Sequence, residues 1–206
     1  MAPQPSNNPA GGGVVDGRTA RRHRNRSAVL DAVIELFEEG DLTPGVHAVA
    51  ERSGVSLRSV YRYFADVDDL ILAAIDRQLD ACAPMFAEPT EGSSTGERIR
   101  SFCARRVDLF VSCRTAYRAA LIRSTDQPDG ERVRHCRSSL ADQVTTAFQP
   151  ELGALAANEA EVVSAMLDAL SQFDAVEYLV NERGLDPEGA TRLLSGAFTR
   201  ILCPHP

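Results

Sequence analysis

The chain has 206 residues, 44% hydrophobic and 25% charged, with a formal net charge of −7. This is the composition of a globular protein of one large or two small domains, and it excludes both a uniformly basic chain and one too polar to bury a core. No run of about 18 apolar residues is present to span a membrane, and the N-terminus lacks an apolar signal core, so a cytoplasmic protein with no membrane partner is expected.

Residues 1–17, MAPQPSNNPAGGGVVDG, are rich in Pro, Gly and Asn and predict a disordered arm. Helical periodicity begins near Thr19, where Val29, Val33, Leu36 and Phe37 recur at three- and four-residue spacing and Leu30 and Ile34 widen the stripe. Glu38, Glu39 and Gly40 close this helix. Arg18, Arg21, Arg22, Arg24 and Arg26 all precede its first acid, Asp31. Residues 18–64 hold eight arginines against six acids, whereas residues 65–206 hold fourteen against twenty-two. A local basic patch on an acidic chain points to phosphate contact, and Arg21, Arg22 and Arg24 are expected at a nucleic-acid backbone or minor groove.

Thr43 and Pro44 predict the start of a second helix, with Val46, Val49 and Ala50 inward and Gly54 as its stop. Ser56 then predicts the cap of a short third helix, whose buried side is Val60 and Phe64. Two helices joined through Ser53-Gly54-Val55 have the layout of a helix-turn-helix, in which the second helix enters the major groove of DNA. On a helical wheel Ser56, Ser59 and Tyr63 share a face that Arg58 and Arg62 flank. Arg58 suits the two acceptors of a guanine. The Ser56 and Leu57 amides suit a phosphate, and the Tyr61 and Tyr63 hydroxyls suit phosphates that fix the helix without reading sequence.

A fourth helix begins near Asp66 and carries Leu70, Ile71, Ala74 and Ile75 toward Pro84. Residues 87–96, AEPTEGSSTG, read as a linker. Helices follow near 97–113, 115–124 and 130–148, the last broken by Pro150, then near 157–183 and 187–202 after Gly184. Period-two alternation is absent, so the fold class is all-α with about nine helices. Its expected divisions are an arm over 1–17, a helix-turn-helix domain over 18–65 and a larger helical domain over 66–206.

In that larger domain the helix at 157–183 is apolar on two sides, with Val162, Ala165, Ala169, Val176 and Val180 on one and Val163, Met166, Leu167 and Leu170 on another. A helix apolar on two sides must bury both. With Leu194, Phe198 and Ile201 of the last helix, Val162, Ala169, Val176 and Val180 predict a four-helix interface between two copies of the chain. Phe102, Arg106 and Phe110 lie at i, i+4 and i+8, so a cation sits inside an apolar stripe and needs a partner. Either it pairs structurally with Glu177, or one of the two, Arg106 or Glu177, orients a ligand. Tyr117, Met166 and Phe173 are further candidates for a ligand pocket. His135 lies off its helix's apolar stripe and is expected in solvent.

The motif VAERSGVSLRSVYRYF, residues 49–64, resembles the head of the tetracycline-repressor family of transcriptional regulators. The arginine-rich lead into the first helix and the stretch AVEYLVNERGLDPEGATRLLSGAF, residues 175–198, are similar as well. The resemblance implies a homodimer that binds a palindromic double-stranded DNA operator and is released by a small-molecule effector held in the C-terminal helices. It implies that Ser56, Arg58 and Ser59 face bases and that Tyr61 and Tyr63 face phosphates. Family members often carry a lysine phosphate clamp where this chain has Val67, flanked by Asp66, Asp68 and Asp69, so the N-terminal arginines are expected to compensate.

Two other functions are open to such a chain. A helical-bundle enzyme would need a nucleophile–base pair, an ExxH metal motif or a glycine-rich phosphate loop, and none occurs. A regulator triggered by oxidation or by a protein partner would use the cysteines or the surface. The five cysteines, Cys82, Cys103, Cys113, Cys136 and Cys203, have no CxxC pairing or metal-ligand spacing. They read as small buried side chains in a reducing compartment, with neither metal nor other cofactor implied.

Overall fold

A computed structural model describes residues 17–87, 94–123 and 127–203. The expected arm, apart from Gly17, and most of the expected linker lie outside the described residues. Ten α-helices and one π-helical turn make up the described chain, with no strand among the described residues.

Helix α1, Gly17–Glu38, starts two residues before the expected point, so the N-terminal arginines ride on a helix. Val29, Leu30, Ala32, Val33, Leu36 and Phe37 are its buried face. Gly40, at φ 98°, turns the chain, and the Gly40 and Asp41 amides donate to the Phe37 and Leu36 carbonyls at 3.0 Å. These bonds satisfy the last carbonyls of the helix. Helix α2, Val46–Ser53, starts after Gly45 and not at Thr43-Pro44. The reason is local: the Thr43 amide donates to Asp41 Oδ1 at 3.1 Å, which holds Thr43 in the turn before the helix. Helix α3 is Leu57–Tyr63 and α4 is Val67–Ala87, which continues through Pro84.

Helix α5, Thr95–Arg123, is one rod of 29 residues where two helices were expected. Its buried stripe of Phe102, Phe110, Cys113, Tyr117 and Ala120 passes the expected break unchanged, and nothing at Arg114 stops it. Helix α6 is Gln127–Ala147. Pro150 then lies in the first turn of α7, Gln149–Leu152, so it opens a helical turn as well as ending a helix. The single helix expected over 157–183 is three pieces: α8, Ala157–Ser171; α9, Phe173–Glu177; and a π-helical turn, Tyr178–Glu182. The break falls at Gln172, whose backbone is extended (φ −65°, ψ 154°) and whose side-chain amide donates to Asp168 Oδ1 at 2.6 Å and to the Arg137 carbonyl at 3.3 Å. Helix α10, Pro187–Leu202, is capped by Asp186, which accepts from the Gly189 amide at 2.7 Å.

Helix α5 is the axis of the molecule and packs against α1, α4, α6, α9 and α10. Two apolar clusters form around it. The first runs without interruption from Val29, Val60 and Phe64 through Leu70, Ile71 and Ile75 to Phe110, Tyr117, Phe173 and Val176. The second, at the other end of α5, gathers Ile99, Phe102, Phe148, Leu167, Leu194 and Phe198. Phe102, Phe148 and Phe198 form a mutual ring cluster with centroids 5.2–5.6 Å apart.

This packing corrects part of the expected subunit interface. Val176, Leu194 and Phe198 are fully buried inside the chain, and Val180 and Ile201 are half-buried against the two clusters. Val176, Leu194 and Phe198 have already spent their apolar surface on the chain's own core. Val162 and Ala169 stay exposed, together with Met166, Leu170 and Leu193.

Candidate nucleic-acid interface

Helices α2 and α3 are joined at Gly54, whose φ of 65° is a left-handed conformation that a side chain would strain. The turn is braced by its serine. Ser53 Oγ donates to the Ala50 carbonyl and accepts from the Val55 amide, both at 3.3 Å. Val55, Val60 and Phe64 then sink into the first apolar cluster and orient α3. Leu57 is half-buried against the same cluster, so only its backbone remains a candidate for phosphate contact.

Ser56 precedes α3, but its hydroxyl makes no cap bond to the helix backbone; it donates to Ser59 Oγ at 3.0 Å. The two serines therefore form one polar pair at the helix start. Beside them Arg58, Tyr61 and Arg62 are exposed, Tyr61 by 51%. Tyr63 is half-buried and tied up: the Arg62 guanidinium lies 5.1 Å from its ring centroid and donates to its hydroxyl at 3.1 Å. The Arg62 hydrogen bond first, with Asn25 and the charge of Arg22 assisting, holds the Tyr63 phenol below its ordinary range. The basic lead of α1 thus meets the end of α3 at one tyrosine. Arg26 makes a second joint, its guanidinium 5.1 Å from the Phe64 ring centroid.

Sequence reasoning missed Asn25 and Arg26. A helix running back to Gly17 places them beside the end of α3, and the only signal in the sequence was the place of Arg26 in the run of arginines before Asp31. Arg21, Arg22 and Arg24 are all exposed along this same helical lead. The start of α4 explains the missing lysine clamp. Asp66 Oδ1 accepts from the Asp69 amide and Asp69 Oδ2 accepts from the Ala65 amide, each at 2.8 Å. The chain's own carboxylates occupy this helix start, and a phosphate there would meet like charge.

Two struts hold the head. Arg52 pairs with Glu35 of α1 and with Glu39 just after it, and Arg77 of α4 pairs with Asp31 at 2.6 Å while donating to the Ser27 carbonyl at 3.1 Å. A third tie joins the body to the head's edge, where Arg123 of α5 pairs with Asp68 of α4.

The residues expected to form a pocket do not converge. Phe102 belongs to the second cluster, while Phe110, Tyr117 and Phe173 pack edge-on in the first with centroids 4.8–6.0 Å apart. Met166 is 47% exposed. The expected Arg106–Glu177 pair is not formed: Glu177 meets Arg118 at 3.6 Å, and Arg106 donates to the Leu140 carbonyl at 3.2 Å and to Gln143 Oε1 at 3.1 Å. The break at Gln172 re-aims the chain that carries Glu177, which is why extrapolating one helix misplaced it. Burial lowers the Arg106 pKa to about 10, which leaves it charged near neutrality. Tyr117 and Glu177 do share a surface cleft of about 260 Å³ with Leu42, Arg118, Leu121, Ile122 and Asp174. His135 is exposed, as expected.

Cys82, Cys103 and Cys113 are buried. Burial pushes these thiols and that of Cys136 upward, Cys103 to about 12, so they are poor sources of the reactive thiolate. Among the described residues no cluster of His, Cys, Asp or Glu is arranged to hold a metal, and no helix is long and apolar enough to cross a membrane.

Residues 29–74 match the sequence model of the family described as bacterial regulatory proteins, tetR family. Over 186 residues the chain is 26% identical to the HTH-type transcriptional activator FasR of Mycolicibacterium smegmatis, covering 88% of this chain and 84% of that one. Its fold is similar to that of a TetR-like transcriptional regulator from Rhodococcus sp. RHA1, at a TM-score of 0.63 and 16% identity over 90% of this chain and 97% of that one. A tetR-family regulator from Streptomyces coelicolor gives 0.60 and 22% over 91% and 90%.

Proposed function

We propose that the chain is a transcriptional regulator of the TetR family rather than an enzyme, and that it acts in the cytoplasm as a homodimer on a palindromic operator. The observation that carries this reading is the division of α3. Val60 and Phe64 anchor one side in the core, while Ser56, Arg58, Ser59, Tyr61 and Arg62 lie on the accessible remainder. Arg58 and the serine pair read base edges; Tyr61, Arg62 and the Arg21–Arg22–Arg24 lead grip phosphates.

Dimerisation is assigned to the exposed apolar strip of Val162, Met166, Ala169 and Leu170 on α8 with Leu193 on α10. An apolar strip of this kind on a helix whose other side meets the core favours an isologous contact. A small-molecule effector held in the helical body would change the spacing of the two heads, a coupling of roughly 1–3 kcal/mol. In the leading form of this reading the bound dimer represses and the effector releases it. The name of the M. smegmatis relative favours a second form, in which the bound dimer activates.

Selection of bound DNA from a random pool with the purified protein tests the operator. The expected product is a palindrome with two equivalent half-sites; sequence-independent recovery refutes the proposal. A promoter–reporter fusion carrying that palindrome then gives the sign of regulation.

A further inference from the structure

Arg106 is the largest fully buried side chain of the described residues, at 2% exposure, and no ion pair holds it among them. One guanidinium nitrogen, Nη2, serves two neutral acceptors, the Leu140 carbonyl and Gln143 Oε1. The group lies 4.8 Å from the Phe102 ring centroid. The other nitrogen, Nη1, is buried and has no hydrogen-bond partner. Asp168 supplies a compensating charge without forming an ion pair and is itself bonded to the Gln172 amide at 2.6 Å. Phe102 belongs to the second apolar cluster and Leu140 to the first, so the cation sits on the seam between them.

A lone buried charge is costly, and a methionine or leucine would fill this position at less expense. A guanidinium retains one advantage over any apolar side chain: an aimed donor edge for a planar anion, strongest where water is excluded. The surroundings limit what the rest of the ligand can be. The buried rings of Phe102, Phe148 and Phe198 lie to one side of the seam and those of Phe110 and Phe173 to the other, so a ligand that reaches Nη1 must part apolar side chains, which suits an apolar body with a single acidic end.

We propose that Arg106 Nη1 receives the carboxylate of an apolar monocarboxylic acid bound at this seam. The proposal rests on the reading that the helical body holds an effector, and it names that effector's chemical class.

The test uses the full chain and two acids, octanoate and 4-phenylbutyrate, each against its neutral amide, by calorimetry and thermal shift. At least one acid is expected to bind tenfold or more tighter than its amide and to raise the melting temperature. Arg106→Met is expected to melt no lower than the wild type, because it removes an unpaired buried charge, and to lose the preference for acid over amide. Amides that bind as well as the acids overturn the proposal, as does failure of both acids to bind. So does an Arg106→Met protein that keeps the acid preference. Should that variant not fold, the wild-type comparison of acid with amide decides alone. Operator release separates this inference from the effector reading. An acid that binds through Arg106 without altering operator affinity refutes the effector reading and leaves the site. Release by neutral compounds, with no acid preference, refutes only the site.

Discussion

Arg52 forks onto Glu39, its two terminal nitrogens each 2.8 Å from one carboxylate oxygen. The pair crosses from α2 to the residue just after α1, and Glu35 within α1 approaches the same guanidinium at 3.5 Å. An arginine two residues before the turn glycine is therefore an internal strut, and it holds the Glu39 carboxyl below its ordinary range by hydrogen bonding. Arg58 and Arg62 lie on the other helix of the same motif, with no acid among the described residues paired to either. The first prediction follows from that division. Arg62→Ala should lower the slope of log affinity against log salt by about one, whereas Arg52→Gln should leave the slope unchanged and lower the melting temperature. Fluorescence anisotropy across a salt series reads both; equal slopes for Arg62→Ala and wild type would refute the assignment.

The second prediction concerns the basic lead of α1. Arg21, Arg22 and Arg24 are exposed on a formed helix, and alanine preserves that helix while removing charge. The triple alanine variant should lose roughly three units of salt slope with its circular dichroism unchanged. Removing residues 1–26 also deletes Arg26 from the Phe64 ring, so it should cost head stability as well as slope. A truncated protein with an unchanged slope would show that this lead does not touch DNA.

The fold class was legible because helical periodicity survives in single stretches, and α3 was legible because turn glycine, anchors and polar face agree within twelve residues. What escaped reading was longer-ranged. Nothing local says that α5 runs unbroken through Arg114, since continuity there is set by the cluster it packs against. The break at Gln172 comes from side-chain bonds to Asp168 and the Arg137 carbonyl, the latter from another helix. From that one break followed two errors, the misplaced partner of Arg106 and the assignment of Val176 to a subunit interface. The two apolar sides of α8 were legible, but which of them the chain covers was not. Val163 and Leu167 turn inward and Val162 and Met166 outward.

That outward side carries the third prediction. Val162 is 58% exposed and Met166 47%, four residues apart and so stacked on one face. Charge placed there should be harmless to a monomer and severe for an apolar isologous contact, where each substitution meets its own copy. The double variant Val162→Glu/Met166→Glu should sediment as a monomer at concentrations where the wild type is a dimer, with the melting temperature nearly unchanged. It should also lose tight binding to the two-half-site operator. A variant that remains dimeric would move the interface elsewhere.

Glu151 gives a prediction in pH. It accepts from Thr95 Oγ1 at 2.6 Å and pairs with Arg98, tying α7 to the first turn of α5. Burial raises its pKa, but the Thr95 hydroxyl, its backbone bond and Arg98 together outweigh that and leave it lowered. A carboxyl whose folded pKa is depressed stabilises fully above the unfolded value, near ~4.3, and loses that contribution as pH falls through the folded value. The melting-temperature gap between wild type and Glu151→Gln should therefore be widest at neutral pH and close below the ordinary carboxylate range. A gap independent of pH would mean that the charge contributes nothing.

The last prediction separates core from interface at α10. Phe198 was expected between subunits, yet its ring lies 5.6 Å from those of both Phe102 and Phe148, fully buried in one chain. Truncation to alanine removes the ring from this triad and leaves a cavity that α5 and α10 cannot close without moving. The cost should be about 3–5 kcal/mol, independent of protein concentration. An interface residue behaves otherwise: its loss shifts the dimer equilibrium, so the apparent stability of the variant approaches that of wild type as both are diluted. Denaturant melts over a hundredfold range of concentration distinguish the two. A deficit that vanishes on dilution would return Phe198 to the interface and contradict the packing described above.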